Sequence, residues 1–152
     1  MLMLLLALQC VAASAGRVRT DSVKSQVLGA WVKYNVYLPD GFGKAERMYP
    51  VVYLLHGLSD DYTAWLDKGR MNLVADELIA SGEADEMVIV MPNAGSSDVH
   101  NTPCGYFNVE GWNYEDFFFN EFMPQVEEKY RIVSEKGHRA VMGLSMGGGG
   151  ST

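Results

Sequence analysis

Three short runs, "VVYLL" (51–55), "MVIVM" (87–91) and "RAVMG" (139–143), constrain the fold of this 152-residue chain more than any other feature. Each is continuously apolar across its centre, without polar alternation. A strand with one face in water alternates. A strand covered on both faces does not, and such strands belong to parallel sheets flanked by helices. The segments between the runs have helical spacing. In 67–81, Met71, Val74, Ala75, Leu78 and Ile79 fall on one stripe; in 115–130, Phe118, Phe122, Val126 and Tyr130 fall on another. Glu115 and Asp116 suit the positive end of the second helix, and Pro124 is expected to kink or restart it. Strands alternating with helices imply βαβ units with right-handed crossovers. Upstream, "WVKYNVYLPDGFG" alternates, with Val32, Tyr34, Val36 and Leu38 on one side and Trp31, Lys33, Asn35 and Tyr37 on the other. It reads as a half-buried strand ended by Pro39-Asp40-Gly41, and a weaker strand at 22–28 would complete an antiparallel hairpin. The expected fold class is α/β, a mostly parallel sheet with an antiparallel N-terminal hairpin and flanking helices.

Hydrophobic residues make up 48% of the chain, enough for a packed core. The net charge of −7 argues against a nucleic-acid partner, because phosphate binding needs a positive face. The first fifteen residues, "MLMLLLALQCVAASA", carry no charge and end in the A-x-A pattern Ala13-Ser14-Ala15. They read as a secretory signal over 1–15, with a domain over 16–152 and a secreted or periplasmic product, although no Lys or Arg opens the run. The run is too short to span a bilayer comfortably, so no stable membrane insertion is expected. Cys10 sits in "ALQC", a poor match to the context of a lipidated cysteine. Once the leader is removed, Cys104 is the remaining cysteine and has no internal disulfide partner. With no H-x-x-H motif and no Cys pair, neither a metal site nor a cofactor is expected.

Gly143-Leu144-Ser145-Met146-Gly147 matches G-x-S-x-G directly after an apolar strand, where a helix should begin. Two glycines let the backbone turn sharply enough to raise a serine hydroxyl above the sheet edge, and a helix N-terminus there favours developing negative charge. The plain alternatives are a Gly-rich turn with an incidental serine, or a linker in the terminal "GGGGS". As a nucleophile, Ser145 needs a base, an acid that orients it and two amides for the oxyanion. Met146 offers one amide. "LLHGLSD", at the end of the strand 51–55, offers the other: Leu58 first, Gly57 as runner-up. His56, His100 and His138 all precede Ser145, whereas in this architecture the histidine follows the nucleophile and the acid. His56 is therefore expected to shape the loop and His138 to sit in a turn. His100, in the long loop 92–114, either touches substrate or is solvated.

"YPVVYLLHGLSDDYTAW", "VIVMPNA" and "GLSMGGGG" together resemble the esterase D-like branch of the α/β-hydrolases. That branch includes feruloyl and acetylxylan esterases, S-formylglutathione hydrolase and the mycolyltransferases. The resemblance runs from about Trp31 to the last residue. It implies the N-terminal part of an α/β-hydrolase fold, an acyl-enzyme on Ser145, an oxyanion hole from Leu58 and Met146, and a small-molecule or polysaccharide ester as substrate. The family's acid and histidine lie beyond its elbow, where this sequence has no residues, so the chain is expected to be an inactive fragment that folds poorly. The leader favours feruloyl or acetyl esters on plant-type polysaccharide over a cytosolic thioester. Asp60, Asp61, Trp65, His100 and Trp112 are candidate pocket residues. The loop aromatics Tyr106, Phe107, Trp112 and Tyr114 can stack on a sugar or phenolic acyl group, or simply pack the loop onto the domain. Two other functions stay open: another serine acyl hydrolase or acyltransferase such as an S-formylglutathione hydrolase-like enzyme, and a non-catalytic carbohydrate-binding relative.

Overall fold

The computed structural model describes residues 15–44, 46–95 and 103–152. Cys10 and almost all of the expected leader fall outside the described residues, as does His100. In chain order the elements are β1 (Arg17–Lys24), β2 (Trp31–Leu38), β3 (Val51–Leu55), α1 (Ala64–Asp67), α2 (Met71–Ser81) and β4 (Val88–Pro92). A small hairpin, β5 (Asn108–Val109) and β6 (Trp112–Asn113), comes next. The chain ends with α3 (Tyr114–Phe117), a π-helical turn (Phe118–Phe122), α4 (Met123–Lys129), β7 (Arg139–Gly143) and α5 (Met146–Gly149).

Five strands form one sheet in the order β1-β2-β4-β3-β7. β1 and β2 are antiparallel, β2 is antiparallel to β4, and β4, β3 and β7 run parallel. The connection from β3 to β4 moves along the sheet one way, and that from β4 to β7 crosses back over β3. Crossovers of one hand then put their helices on opposite faces. The buried residues follow: Met71 and Ala75 of α2 pack on Tyr37, Ile89 and Met91, while Phe117, Phe118, Phe122 and Val126 pack on Val36, Tyr53 and Val90. The second face is aromatic. Tyr34 meets Phe122 edge-on at 5.2 Å and Tyr53 meets Phe118 edge-on at 5.2 Å, the geometry in which ring edges face ring π-clouds.

Several sequence expectations need correction. The first strand is 17–24, not 22–28; residues 25–30 form the turn into β2. β2 alternates as expected at its start, with Trp31 and Lys33 exposed, but Asn35 and Tyr37 on the same side are covered: Tyr37 O–H donates to Asp76 of α2 at 2.7 Å and Asn35 Nδ2 donates to the Tyr62 carbonyl, just before α1, at 3.0 Å. The helix expected over 67–81 starts at Met71. It buries Met71 and Ala75 and half-buries Ile79, one straight i, i+4, i+8 row, and leaves Val74 and Leu78 exposed. Gly82, at φ 77°, ends it in the left-handed conformation that a side chain would resist. The second helix keeps the expected buried row Phe118, Phe122, Val126 and Tyr130, but changes pitch. The π turn comes just before Pro124, whose ring lacks the N–H that would continue the ladder, and the helix resumes as α4. β7, expected to be covered on both faces, is largely exposed.

Candidate active site

Ser145 sits at φ 55°, ψ −115°, between β7 and the single turn α5. A residue with a side chain in such a region costs about 1–3 kcal/mol and persists only where its surroundings enforce it. They do so here. A Cβ on Gly143 would run into the Gly147 backbone, and one on Gly147 into the Leu55 carbonyl. The elbow therefore closes on itself and against the end of β3 because both positions are glycine. Leu144 N–H donates to the Leu55 carbonyl at 3.3 Å, and Gly147 N–H donates to the Leu144 carbonyl at 2.9 Å.

The loop after β3 meets this elbow. A Cβ on Gly57 would lie 3.8 Å from Ser145 Cβ and 3.6 Å from the Leu144 carbonyl oxygen. Asp60 N–H donates back to the Gly57 carbonyl at 3.2 Å, closing a turn through Leu58 and Ser59, the latter at φ 63°. Among the described residues, no backbone carbonyl accepts from the Leu58 or the Met146 amide. The structure thus brings Ser145, Met146, Gly57 and Leu58 into one corner at the carboxyl ends of β3 and β7, the edge where open α/β sheets bind ligands.

No histidine among the described residues serves Ser145. His56 is 2% exposed. Its Nδ1–H donates to the Gly57 carbonyl at 2.8 Å, and its Nε2 accepts the Ala94 N–H at 3.0 Å. Burial pushes its pKa below the usual 6.5, against the pull of the Gly57 carbonyl, Asp60 and Asp61. Both ring nitrogens are occupied, which leaves no lone pair for a serine proton. His138 lies at the other end of β7, roughly 20 Å of extended chain away, 3.6 Å from Glu135.

Residues 25–151 match the family described as "Putative esterase". The chain belongs to that esterase family. It is 33% identical to an endo-1,4-beta-xylanase/feruloyl esterase of Xylanibacter ruminicola over 88% of this chain and 19% of the relative. With an esterase of Mycobacterium tuberculosis it shares 35% identity over 77% of this chain and 24% of the relative. Among solved structures, a ferulic acid esterase superposes with a TM-score of 0.87 at 48% identity, covering 90% of this chain and 52% of that one. A ferulic acid esterase from Anaeromyces mucronatus, solved with ferulic acid, gives 0.73 at 30% identity, covering 88% and 50%. An S-formylglutathione hydrolase from Agrobacterium tumefaciens, at 22% identity and a TM-score of 0.69 over 91% and 52%, shares the fold. The chain spans about half the length of the solved structures and a quarter or less of the curated relatives. Its fold is that of the α/β-hydrolase esterases over the part it spans.

Beside the loop after β3, this member of the esterase family has a cleft of about 200 Å³, lined by Gly57, Asp60, Ala64, Trp65, Lys68 and Leu144 among others. Trp65 is held in place by its indole N–H, which donates to the Leu55 carbonyl at 3.1 Å. Asp60 is ion-paired with Lys68. Lys68 escaped the sequence reading because it reaches Asp60 across an irregular turn that no spacing rule describes. The other candidates divide. Asp61 accepts the Thr63 N–H at 2.7 Å in the turn that precedes α1, outside the cleft lining. Trp112 stacks on Tyr114 at 5.7 Å and donates to the Gly105 carbonyl at 2.8 Å. Tyr106 and Tyr114 are buried, so three of the four loop aromatics pack the loop, while Phe107 is exposed. Among the described residues, no cluster of three His, Cys, Asp or Glu side chains could hold a metal ion, and no helix is long and apolar enough to cross a membrane.

Proposed function

We propose that this chain carries the nucleophile and oxyanion hole of a secreted serine esterase that cleaves feruloyl or acetyl esters on plant-type polysaccharides. The observation that carries this reading is the strained Ser145, enforced by two glycines and packed against Gly57. On this reading Ser145 Oγ attacks the ester carbonyl carbon, and the carbonyl electrons move onto its oxygen. The Leu58 and Met146 amides stabilise that oxyanion. Collapse expels the sugar alkoxide, which leaves as the alcohol with the proton taken from Ser145, and water then hydrolyses the acyl-enzyme. The proton carrier is a histidine outside the described residues, because His56 has no free nitrogen and His138 is at the wrong end of β7. Without that histidine and its acid, the described residues alone turn over no ester. Trp65, Ala64 and Leu144 offer an apolar wall for an aromatic acyl group, which favours feruloyl over acetyl. The uncharged run 1–15 supports export.

The test compares the complete product of the gene with its Ser145→Ala variant on methyl ferulate, acetylated xylan and a short-chain aryl ester. Ser145→Ala should cut kcat by roughly 10⁴-fold or more. Equal turnover by the variant overturns the reading. Xylan binding without Ser145-dependent hydrolysis would place the protein among non-catalytic relatives. The exported protein should begin at Gly16.

A further inference from the structure

We propose that His56 is a positioning residue: its neutral ring latches the oxyanion loop to the loop after β4, and proton uptake at Nε2 opens that latch. The catalytic consequence rests on the esterase reading above; the latch does not. Ala94 N–H is a backbone donor and nothing else, so the Nε2 it points at must be an unprotonated acceptor. Nδ1 then carries the ring's one proton, and its partner is the Gly57 carbonyl. The His56 carbonyl accepts the Tyr106 O–H at 3.2 Å, and the Tyr106 ring stands edge-on to the imidazole at 5.7 Å. Gly105 N–H closes the base of the same loop on the Ala94 carbonyl at 2.7 Å. One buried side chain thus fixes both the residue next to Ser145 and the base of the loop after β4.

A proton on Nε2 would set two N–H donors against each other, and the Ala94 bond could not survive. Asp60 and Asp61, on the same loop, favour the cation; Lys68, paired with Asp60, opposes it. Tyr106 stays neutral, because burial raises its phenol far above the ordinary value. The elbow contributes only the uncharged backbone of Gly147, whose Cβ position lies 2.8 Å from the His56 carbonyl oxygen. Burial outweighs the carboxylates, so the latch is closed at neutral pH and opens on the acid side of 6.5.

The test has two arms on the complete gene product. Nitrogen-15 NMR should show the Nδ1–H tautomer at pH 7.5, and one titration below pH 6.5 should move the His56 ring, Gly57 and Ala94 signals together. An Nε2–H tautomer, or an Ala94 signal that ignores His56, overturns the proposal whether or not the protein is an enzyme. His56→Gln keeps an oxygen acceptor for Ala94 that takes up no proton in this range. It should abolish the Ala94 titration and remove one component of the acid limb of kcat. His56→Phe leaves the Ala94 amide without a partner and should lower kcat about 100-fold with KM changed by less than about twofold, as expected when a transition-state contact is misplaced. A His56→Gln profile identical to wild type overturns the catalytic half. Loss of Ser145 dependence would instead sink the esterase reading and leave the NMR result standing.

Discussion

β4 and β7 are both five-residue strands built from short apolar runs, and they share β3 as a neighbour. β4 is buried at every position; β7 is buried at none, with Val141 37% and Met142 55% exposed. Composition does not separate them. Coverage does: β4 is paired on both edges and lies under α2 on one face and the α3–α4 aromatics on the other, whereas among the described residues β7 pairs with β3 alone. Burial is collective, and an apolar run specifies only that a strand can accept it. The less covered strand is also the one that leads into Ser145. Besides its pairing with β3, it is fixed at its two ends, by Gly147 against Leu55 at one end and by Arg139 on Glu127 at the other.

The largest effect should come from the Arg139 end. Arg139 Nε and Nη2 donate to the two Glu127 oxygens at 2.6 and 2.7 Å, and Tyr53 O–H adds a bond at 3.1 Å. Glu127 is 4% exposed. Arg139→Ala leaves that carboxylate buried without its cation and should cost about 3–5 kcal/mol, read as a fall in Tm. The pair also has a pH signature. Burial raises the Glu127 pKa, but Arg139, Ser134 and Tyr53 together bring it below the ordinary 4.5. A depressed carboxyl contributes stability that is complete above 4.5 and is lost as pH falls through the folded value. Wild-type acid unfolding should contain this component and Arg139→Ala should lack it. An Arg139→Ala protein as stable as wild type would show that β7 is held by something other than its ends.

The second test is inside β4. Val90 is fully buried, facing the aromatic side of the core, and Val90→Ala removes two methyl carbons from a packed site. About 2 kcal/mol should be lost in urea unfolding, with no change in the slope of the transition. A loss under roughly 0.5 kcal/mol would erase the distinction between the two strands, since exposed sites respond at that level.

Legibility in the sequence follows the same division. Periodicity located β3, β7 and the row Phe118, Phe122, Val126 and Tyr130, because each is set by contacts of regular spacing. It misplaced β1, whose register on β2 is set by pairing and by the turn at 25–30, and it overcounted the buried face of α2 by Val74 and Leu78. Ser145 and the loop His56-Gly57-Leu58 were visible as motifs, since glycine is required where backbones close to van der Waals contact. The His56–Ala94 bond was not visible. It joins residues 38 positions apart through a backbone amide, a group that every residue type except proline supplies and that therefore leaves no mark in the sequence.

The smallest expected effect is the most pointed one. Val141→Ala deletes the same two carbons as Val90→Ala, from a strand two positions further along the sheet, beyond β3. With Val141 37% exposed, the change should cost less than about 0.5 kcal/mol, because most of the removed surface was already in water. The measurement is the urea midpoint of Val141→Ala beside that of Val90→Ala under one set of conditions. A cost approaching that of Val90→Ala would mean that β7 is covered in solution by residues outside those described or by another copy of the chain. The two can be told apart, because only cover by another copy makes the midpoint depend on protein concentration.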